Sequence, residues 1–568
     1  MVQPTRPSAD DATQFDPIDL DGHGRARRRF FGLTGSLLAL GGGWPASEAF
    51  ALTDADPGAS SGGPAPRRGG VLDAIVTPEP PTLAIFLNTS TPGRAVASKI
   101  FDGLLDYGAD LKPRPQLAES VTPSADGLSW TIRLRQGVQW HDGKPFTAAD
   151  VKYSGEVIWK QYAPVARRLF QYLTRVDTPD SHTAILRLSK PSPVIVNALD
   201  AIAAPILPRH LYEGTDILNN PYNNRPVGTG PFAFKSWQRG SDIQLTRFAH
   251  YWRENGPYLD GITWKIVPDA GARAVALETG SAKYGERNPV TFSDADRLAR
   301  SPSLVVSRAG YNGFAANFWL IPNLRHPILG NLKVRQAILH AIDRAALVNT
   351  VWRGYAKPAT GPVSSLLKTF YTPDTPQYAF DRAAAEKLLD EAGYPRKADG
   401  WRFHINHDFI PYGDDYQRTG EFVRQALRSV GIDVTLRAFD LAAWTKNVFT
   451  DYTFDLVSSW GVNWQDPQIG VEQYFWSKAA VRGVAWQNAA GYASPEADRV
   501  IEAAQVETDL AKRVALYAQL QKLVQRDLPQ IYLFEFRWFG VWDKHLRNVT
   551  DTYDHSQSNF AQVGFDNV

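Results

Sequence analysis

Apolar and polar positions alternate most regularly at Trp130, Ile132 and Leu134, which are separated by Thr131 and Arg133. That is the period of two of a strand with one buried face. His141-Asp142-Gly143-Lys144-Pro145 then breaks the alternation with turn chemistry. Thr147 caps a helix running through Val151 and Tyr153, and Asp150, three residues on, can return the bond. The same criteria predict strands over 71–76 and 183–188, and helices over 93–104, 157–170 and 192–201. Gly228-Thr229-Gly230-Pro231-Phe232 is a strong break that permits a tight approach of the chain and leads into a strand toward Trp237. Residues 304–319 read as two strand-like halves, and 331–351 as one helix with Asn331 as cap and Val334, Ile338, Ala341, Ile342 and Val348 as its stripe. Beyond these, helices over 383–392 and 416–429, closed by Gly393 and Gly431, alternate with strands over 402–405 and 432–436. A further strand starts at Asp455 and aims at Trp460-Gly461, and helices follow over 494–509 and 511–525. Alternation at these lengths argues for a largely parallel sheet.

Composition changes this picture in three places. Of 568 residues 43% are hydrophobic and 12% aromatic, with 17 Trp, enough for large cores and aromatic-lined surfaces. Basic and acidic residues nearly balance, 61 against 59, so a polyanion-binding surface is excluded as the main function and no nucleic-acid partner is expected. There is no cysteine, which excludes disulfides, thiolate metal sites, cysteine nucleophiles and a lipid-modified N-terminal cysteine. At the N-terminus a polar stretch reading as disordered precedes Arg27-Arg28-Arg29-Phe30-Phe31, a short apolar run over 33–40 and Ala49-Phe50-Ala51. These are the parts of a secretory signal over 1–51, with twin arginines that point to the twin-arginine route and a Gram-negative periplasm. The apolar run is about half of the ~20 residues that span a bilayer. Residues 52–69, rich in Gly, Ser, Pro and Ala, read as a flexible leader.

The W-H-D-G-K-P-F turn with T-A-A-D-V, the G-T-G-P-F block, His250-Tyr251-Trp252, Tyr258-Leu259-Asp260-Gly261-Ile262, Val334-Arg335-Gln336-Ala337 and Asp527-Leu528-Pro529 occur in one order along the chain. In that order they resemble the periplasmic solute-binding proteins of ABC importers for peptides, nickel chelates and opines, over about residues 70–568. The resemblance implies an α/β fold, a two-lobed periplasmic binding protein of type II, cluster C, with a small extra domain inserted in the first lobe. Its expected limits are 70–95, 225–312 and 540–568 for lobe I, 96–224 for the inserted domain and 313–539 for lobe II. It also implies a small ligand in an interlobe cleft, peptide-like, opine-like, glycosidic or a metal chelate, with release to the transmembrane subunits of an ABC permease, a monomer, no catalysis and no cofactor.

No H-E-x-x-H or G-x-S-x-G occurs, and Gly137 to Lys144 departs from a phosphate loop in spacing and in Pro145. His404 and His407 sit on opposite strand faces, so no chelating pair and no metal is expected. His141-Asp142 reads as a turn bonding its own backbone. Open α/β sheets bind ligands at strand ends and crossovers, which selects the loop of Trp460, Asn463, Trp464 and Asp466, then His407, Phe409 and Tyr412, then Asn88, Thr89 and Arg94, and the crossover residues Tyr311 and Phe314. Arg94 is a candidate for an acidic ligand group. In peptide-binding relatives an Asp at the position of Asn463 holds the ligand's ammonium, and in dipeptide binders an Arg at the position of Ile410 holds its carboxylate. Both charges are missing, which disfavours a free dipeptide, and Asn463→Asp is expected to favour amines. The alternatives from other classes are a secreted hydrolase, which would need a clustered nucleophile and base, and a periplasmic chaperone or scaffold using the same cleft.

Overall fold

The computed structural model describes residues 66–87 and 90–567. The expected export signal, most of the expected leader, and Asn88 and Thr89 lie outside the described residues.

Three sheets organise the chain. The first has seven strands in the order Leu304–Ser307, Gly540–Asp543, Tyr284–Gly285, Val71–Val76, Gly261–Ile266, Asp242–Arg247, Phe232–Gln238. Val71–Val76 runs parallel to both its neighbours. The second has six strands in the order Ala356–Pro358, Ile531–Phe536, Ala316–Pro322, Leu456–Val462, Phe403–Asp408, Ile432–Arg437. It is not largely parallel as expected. Phe403–Asp408 pairs in parallel on both sides, but Ala316–Pro322 enters from the first sheet running antiparallel to its two neighbours, and Ala356–Pro358 joins antiparallel too. The third is a four-stranded antiparallel sheet holding Ser129–Leu134. There Trp130, Ile132 and Leu134 are buried and the residues between them are not, as the alternation predicts; the Ile and Leu side chains each contribute roughly 1.5–3 kcal/mol by leaving water.

The chain passes between the first two sheets twice, from Ser307 to Ala316 and from Phe536 to Gly540. Most buried apolar side chains fall into two large clusters, one mainly on the second sheet, the other on the first and third. Trp464 packs against both. Among the described residues no helix is long and apolar enough to cross a membrane.

Several helices are shorter than their apolar stripes suggest. The helix expected over 331–351 is two, Leu332–Ala341 and Arg344–Thr350, because Ile342 is extended and the Asp343 side chain accepts from the Ala346 N–H to cap the second. The first helix is Thr91–Ala97 rather than 93–104. The backbone carbonyls of Lys99 and Ile100 turn out to accept from the N–H groups of Phe232 and Gly230, at 3.1 and 2.8 Å. A Cβ on Gly228 would lie 1.9 Å from the Ile100 oxygen, which is why the G-T-G block needs its glycines. Residues 157–170 divide at Ala163 into Ser154–Tyr162 and Pro164–Leu169. Only Pro193–Asn197 of 192–201 is helical.

Asp150 accepts from the Thr147 N–H at 2.9 Å, as the cap requires. The neighbouring His141 does more than close its own turn. Its Nε2 donates to the Gly230 carbonyl at 2.9 Å and its Nδ1 accepts from the Gly228 N–H at 3.3 Å, while its ring packs on Phe248. Burial pushes its pKa down to about 4, which keeps the neutral tautomer this pattern needs. The His-Asp-Gly turn thus pins the glycine block that returns the chain to the first sheet.

Candidate functional site

Both crossovers carry aromatic residues, and their rings meet. Phe314, on the first, lies 5.8 Å from Trp538 on the second, 5.5 Å from Trp464 and 6.3 Å from Trp460 between centroids. Trp460 lies two residues before the end of the strand Leu456–Val462 and also touches Phe536, Trp538 and Tyr412. The result is an aromatic box at the junction of the two sheets, the kind of position at which open α/β folds bind ligands. Trp460 and Trp538 bury indole N–H groups that have no hydrogen-bond partner.

Two arginines face this box from the side of the first sheet. Arg94, in the helix Thr91–Ala97, holds its guanidinium 5.5 Å from the centre of the Trp464 ring. It is 93% buried, by a relative exposure of 7%, and its Nε has no partner. Burial pulls its pKa down to about 10, Asp200 opposing and Arg287 adding to the effect, so the group stays a cation at neutral pH. Arg287 lies 4.8 Å from the centre of Phe314, donates to Glu286 at 2.6 Å and to the Ser556 hydroxyl, and has Asp554 at 3.9 Å. Glu286 keeps its second oxygen unpartnered, and burial raises its pKa to about 7. Lys99, also buried, donates to the Ser556 carbonyl at 2.8 Å and has its pKa lowered to about 7 by burial. Arg287 is therefore compensated by carboxylates, while Arg94 has a free donor over an aromatic face. Such a group can hold a carboxylate or other anion.

The remaining expected residues take different places. Tyr311 sits beside the box, its hydroxyl accepting from the Arg287 N–H at 2.8 Å and its ring 4.3 Å from His555. Tyr412 is the exposed member of the box, 5.9 Å from Trp460. Phe409 packs under Gly420 of the helix Asp414–Ser429, and Ile410 is fully buried. Asp466 is buried with both oxygens committed, to Arg513 at 2.6 and 2.8 Å and to the Gln468 N–H. Asn463 ties its loop to residues 362–364: its Oδ1 accepts from the Ser364 N–H at 2.5 Å and its Nδ2 donates to the Pro362 carbonyl at 3.3 Å. An Asp there would set an oxygen against the Pro362 carbonyl. The gain of amine affinity expected from charge alone is offset by that repulsion.

His407 is fully buried on its strand and neither ring nitrogen has a partner. Burial pushes its pKa down to about 3 from 6.5. The fold holds the ring neutral, whereas the unfolded chain takes a proton below about 6.5; its contribution to stability is full above that pH and is lost as pH falls toward the folded value. His407→Leu is expected to leave stability at pH 7 unchanged or higher by about 1–3 kcal/mol, and to flatten its decline in acid. Denaturant midpoints at pH 7 and pH 4 check this; a variant as acid-sensitive as the parent would contradict it.

Arg287 and Trp538 were not singled out from the sequence. Phe534, Phe536 and Trp538 recur with a period of two, pack ring on ring and run into the junction, a signal that was there to find. Glu286 and Arg287 follow the two-residue strand Tyr284–Gly285, too short for any periodicity. Among the described residues no group of three or more His, Cys, Asp or Glu is placed to hold a metal ion.

Residues 112–480 match the sequence model of the bacterial extracellular solute-binding proteins, family 5, middle region. The glutathione-binding protein GsiB of Salmonella typhi is 30% identical over 82% of this chain and 89% of its own. AgaA from A. tumefacien R10, solved with agropinic acid, superposes with a TM-score of 0.76 at 26% identity over 87% of this chain and 99% of AgaA. DppA from Helicobacter pylori, solved with the peptide STSA, gives 0.77 at 23% identity over 88% and 99%. The chain belongs to the family 5 bacterial extracellular solute-binding proteins, the two-lobed solute-capturing components of ABC importers.

Proposed function

We propose that this protein captures a small peptide-like solute bearing a carboxylate, and that glutathione is its first candidate. The observation that carries the reading is Arg94, a buried cation with an unpaired donor over Trp464 at the junction of the lobes. The aromatic box supplies the apolar wall, and Arg94 anchors the acidic group. The second support is the absence of a free carboxylate at Asn463 and of an Arg at Ile410, which removes partners for both ends of an ordinary dipeptide. Glutathione, the ligand named for the 30% identical relatives, carries two carboxylates and one ammonium. It suits a site in which the unpaired charge is positive. A chain without cysteine also cannot form a mixed disulfide with its thiol. The protein acts without catalysis, as a monomer, by closing its lobes on the solute and opening to an ABC permease. Export by the twin-arginine route rests on Arg27-Arg28-Arg29-Phe30-Phe31.

A thermal-shift panel tests the ligand class. Glutathione at about a hundred times its dissociation constant should add about 2.7 kcal/mol of stability and raise the melting temperature, while its dimethyl ester and the dipeptide Met-Leu should not. Equal stabilisation by Met-Leu or by the ester would contradict the reading.

A further inference from the structure

The inserted module reaches across the junction and grips the second lobe beside the box. Arg168, in its helix Pro164–Leu169, is half-buried and donates to the carbonyls of Gln468 and Ile469, the latter at 2.6 Å. Those carbonyls belong to the short helix Pro467–Gly470, which has no later turn to bond them. Tyr172 donates to Gln505 at 3.1 Å, and Gln505 in turn donates to the buried Glu472 at 2.8 Å. Nearer the box, Asn197 donates to Asp466 at 3.2 Å, and Gln465 donates to the Asn197 carbonyl at 2.6 Å.

These bonds bracket Trp464. Its backbone has φ of +50°, a left-handed conformation that costs a bulky residue energy unless its neighbours impose it. On one side Asn463 is held by the Ala315 carbonyl and by residues 362–364; on the other, Gln465 and Asp466 are held from the inserted module. The ring so placed is the one over which Arg94 sits.

We propose that the inserted module is an interlobe latch: Arg168, with Asn197, clamps residues 464–469, holds the cleft shut and sets Trp464 for the ligand. Arg168 is a positioning residue, acting through the loop. The inference rests on the proposed opening and closing of the lobes, but not on the identity of the solute. An empty protein still reports on the latch.

The absence of cysteine makes labelling simple. Leu218, on the inserted segment, and Val481, on the second lobe, are exposed, and cysteines at these two positions would carry spin labels for a distance measurement by electron resonance. Arg168→Met keeps the stem and removes the donors. It should lower the ratio of closed to open protein about tenfold or more, with and without 1 mM glutathione, while Arg168→Lys, which keeps a charged donor, restores part of it. Gln465→Met tests the same latch from the other side and should also favour the open form. Distance distributions unchanged by both Met variants would overturn the proposal. So would a Lys variant that opens as fully as Arg168→Met. A normal latch response in a protein that ignores glutathione would refute the ligand reading alone.

Discussion

Replacing Asp466 by Asn is expected to lower the unfolding free energy by about 3–5 kcal/mol, the usual cost of leaving one member of a buried ion pair without its partner. Asp466 is fully buried and meets Arg513 through two parallel bonds, and Arg513 is itself buried. Burial alone would depress the Arg513 pKa, but Asp466, with Tyr517 and Glu472, reverses this and leaves it raised. A guanidinium does not lose its proton near neutral pH, so its charge stays when the carboxylate goes. Chemical denaturation of the ligand-free protein measures the loss. Exchanging both partners for apolar residues, Asp466→Leu with Arg513→Met, should cost less than Asp466→Asn alone, since no charge is then stranded. A single change costing under about 1 kcal/mol would mean the pair is hydrated like a surface bridge. The D-P position, a candidate ligand contact by its sequence, thus serves to anchor the loop that carries Trp464.

The second large effect falls on binding. Arg94→Ala is expected to weaken glutathione about a hundredfold, near 2.7 kcal/mol, from the loss of charge-assisted hydrogen bonds worth about 1.5–3 kcal/mol each. Stability of the ligand-free protein should stay level or rise, because a desolvated cation is removed. Titration calorimetry on the parent and variant separates the two quantities. Affinity that is unchanged in the variant would take Arg94 out of the site.

Much of the framework was legible because it depends on local pattern. The Trp130–Leu134 strand, the Thr147 cap and the glycine block follow from period, capping and close approach, and all three are found where the residues placed them. The aromatic half of the candidate site was legible in part: Trp460, Trp464 and Phe314 stand near a strand end and on a crossover, and their rings meet. What was hidden depends on contacts distant in sequence. The role of Asp466 depends on Arg513, 47 residues away, and that of Arg168 on carbonyls 300 residues away. Arg287 reaches the box from a strand of two residues. No window of sequence contains both partners of any of these.

Whether the cleft takes a carboxylate-bearing peptide-like solute decides the proposed function. The direct measurement is a calorimetric titration of ligand-stripped protein with glutathione. The expected result is saturable one-site binding with a dissociation constant in the micromolar range or tighter, about −8 kcal/mol or more favourable, and no binding of Met-Leu under the same conditions. Absence of heat with glutathione up to millimolar concentration, with saturable binding of Met-Leu, would contradict it.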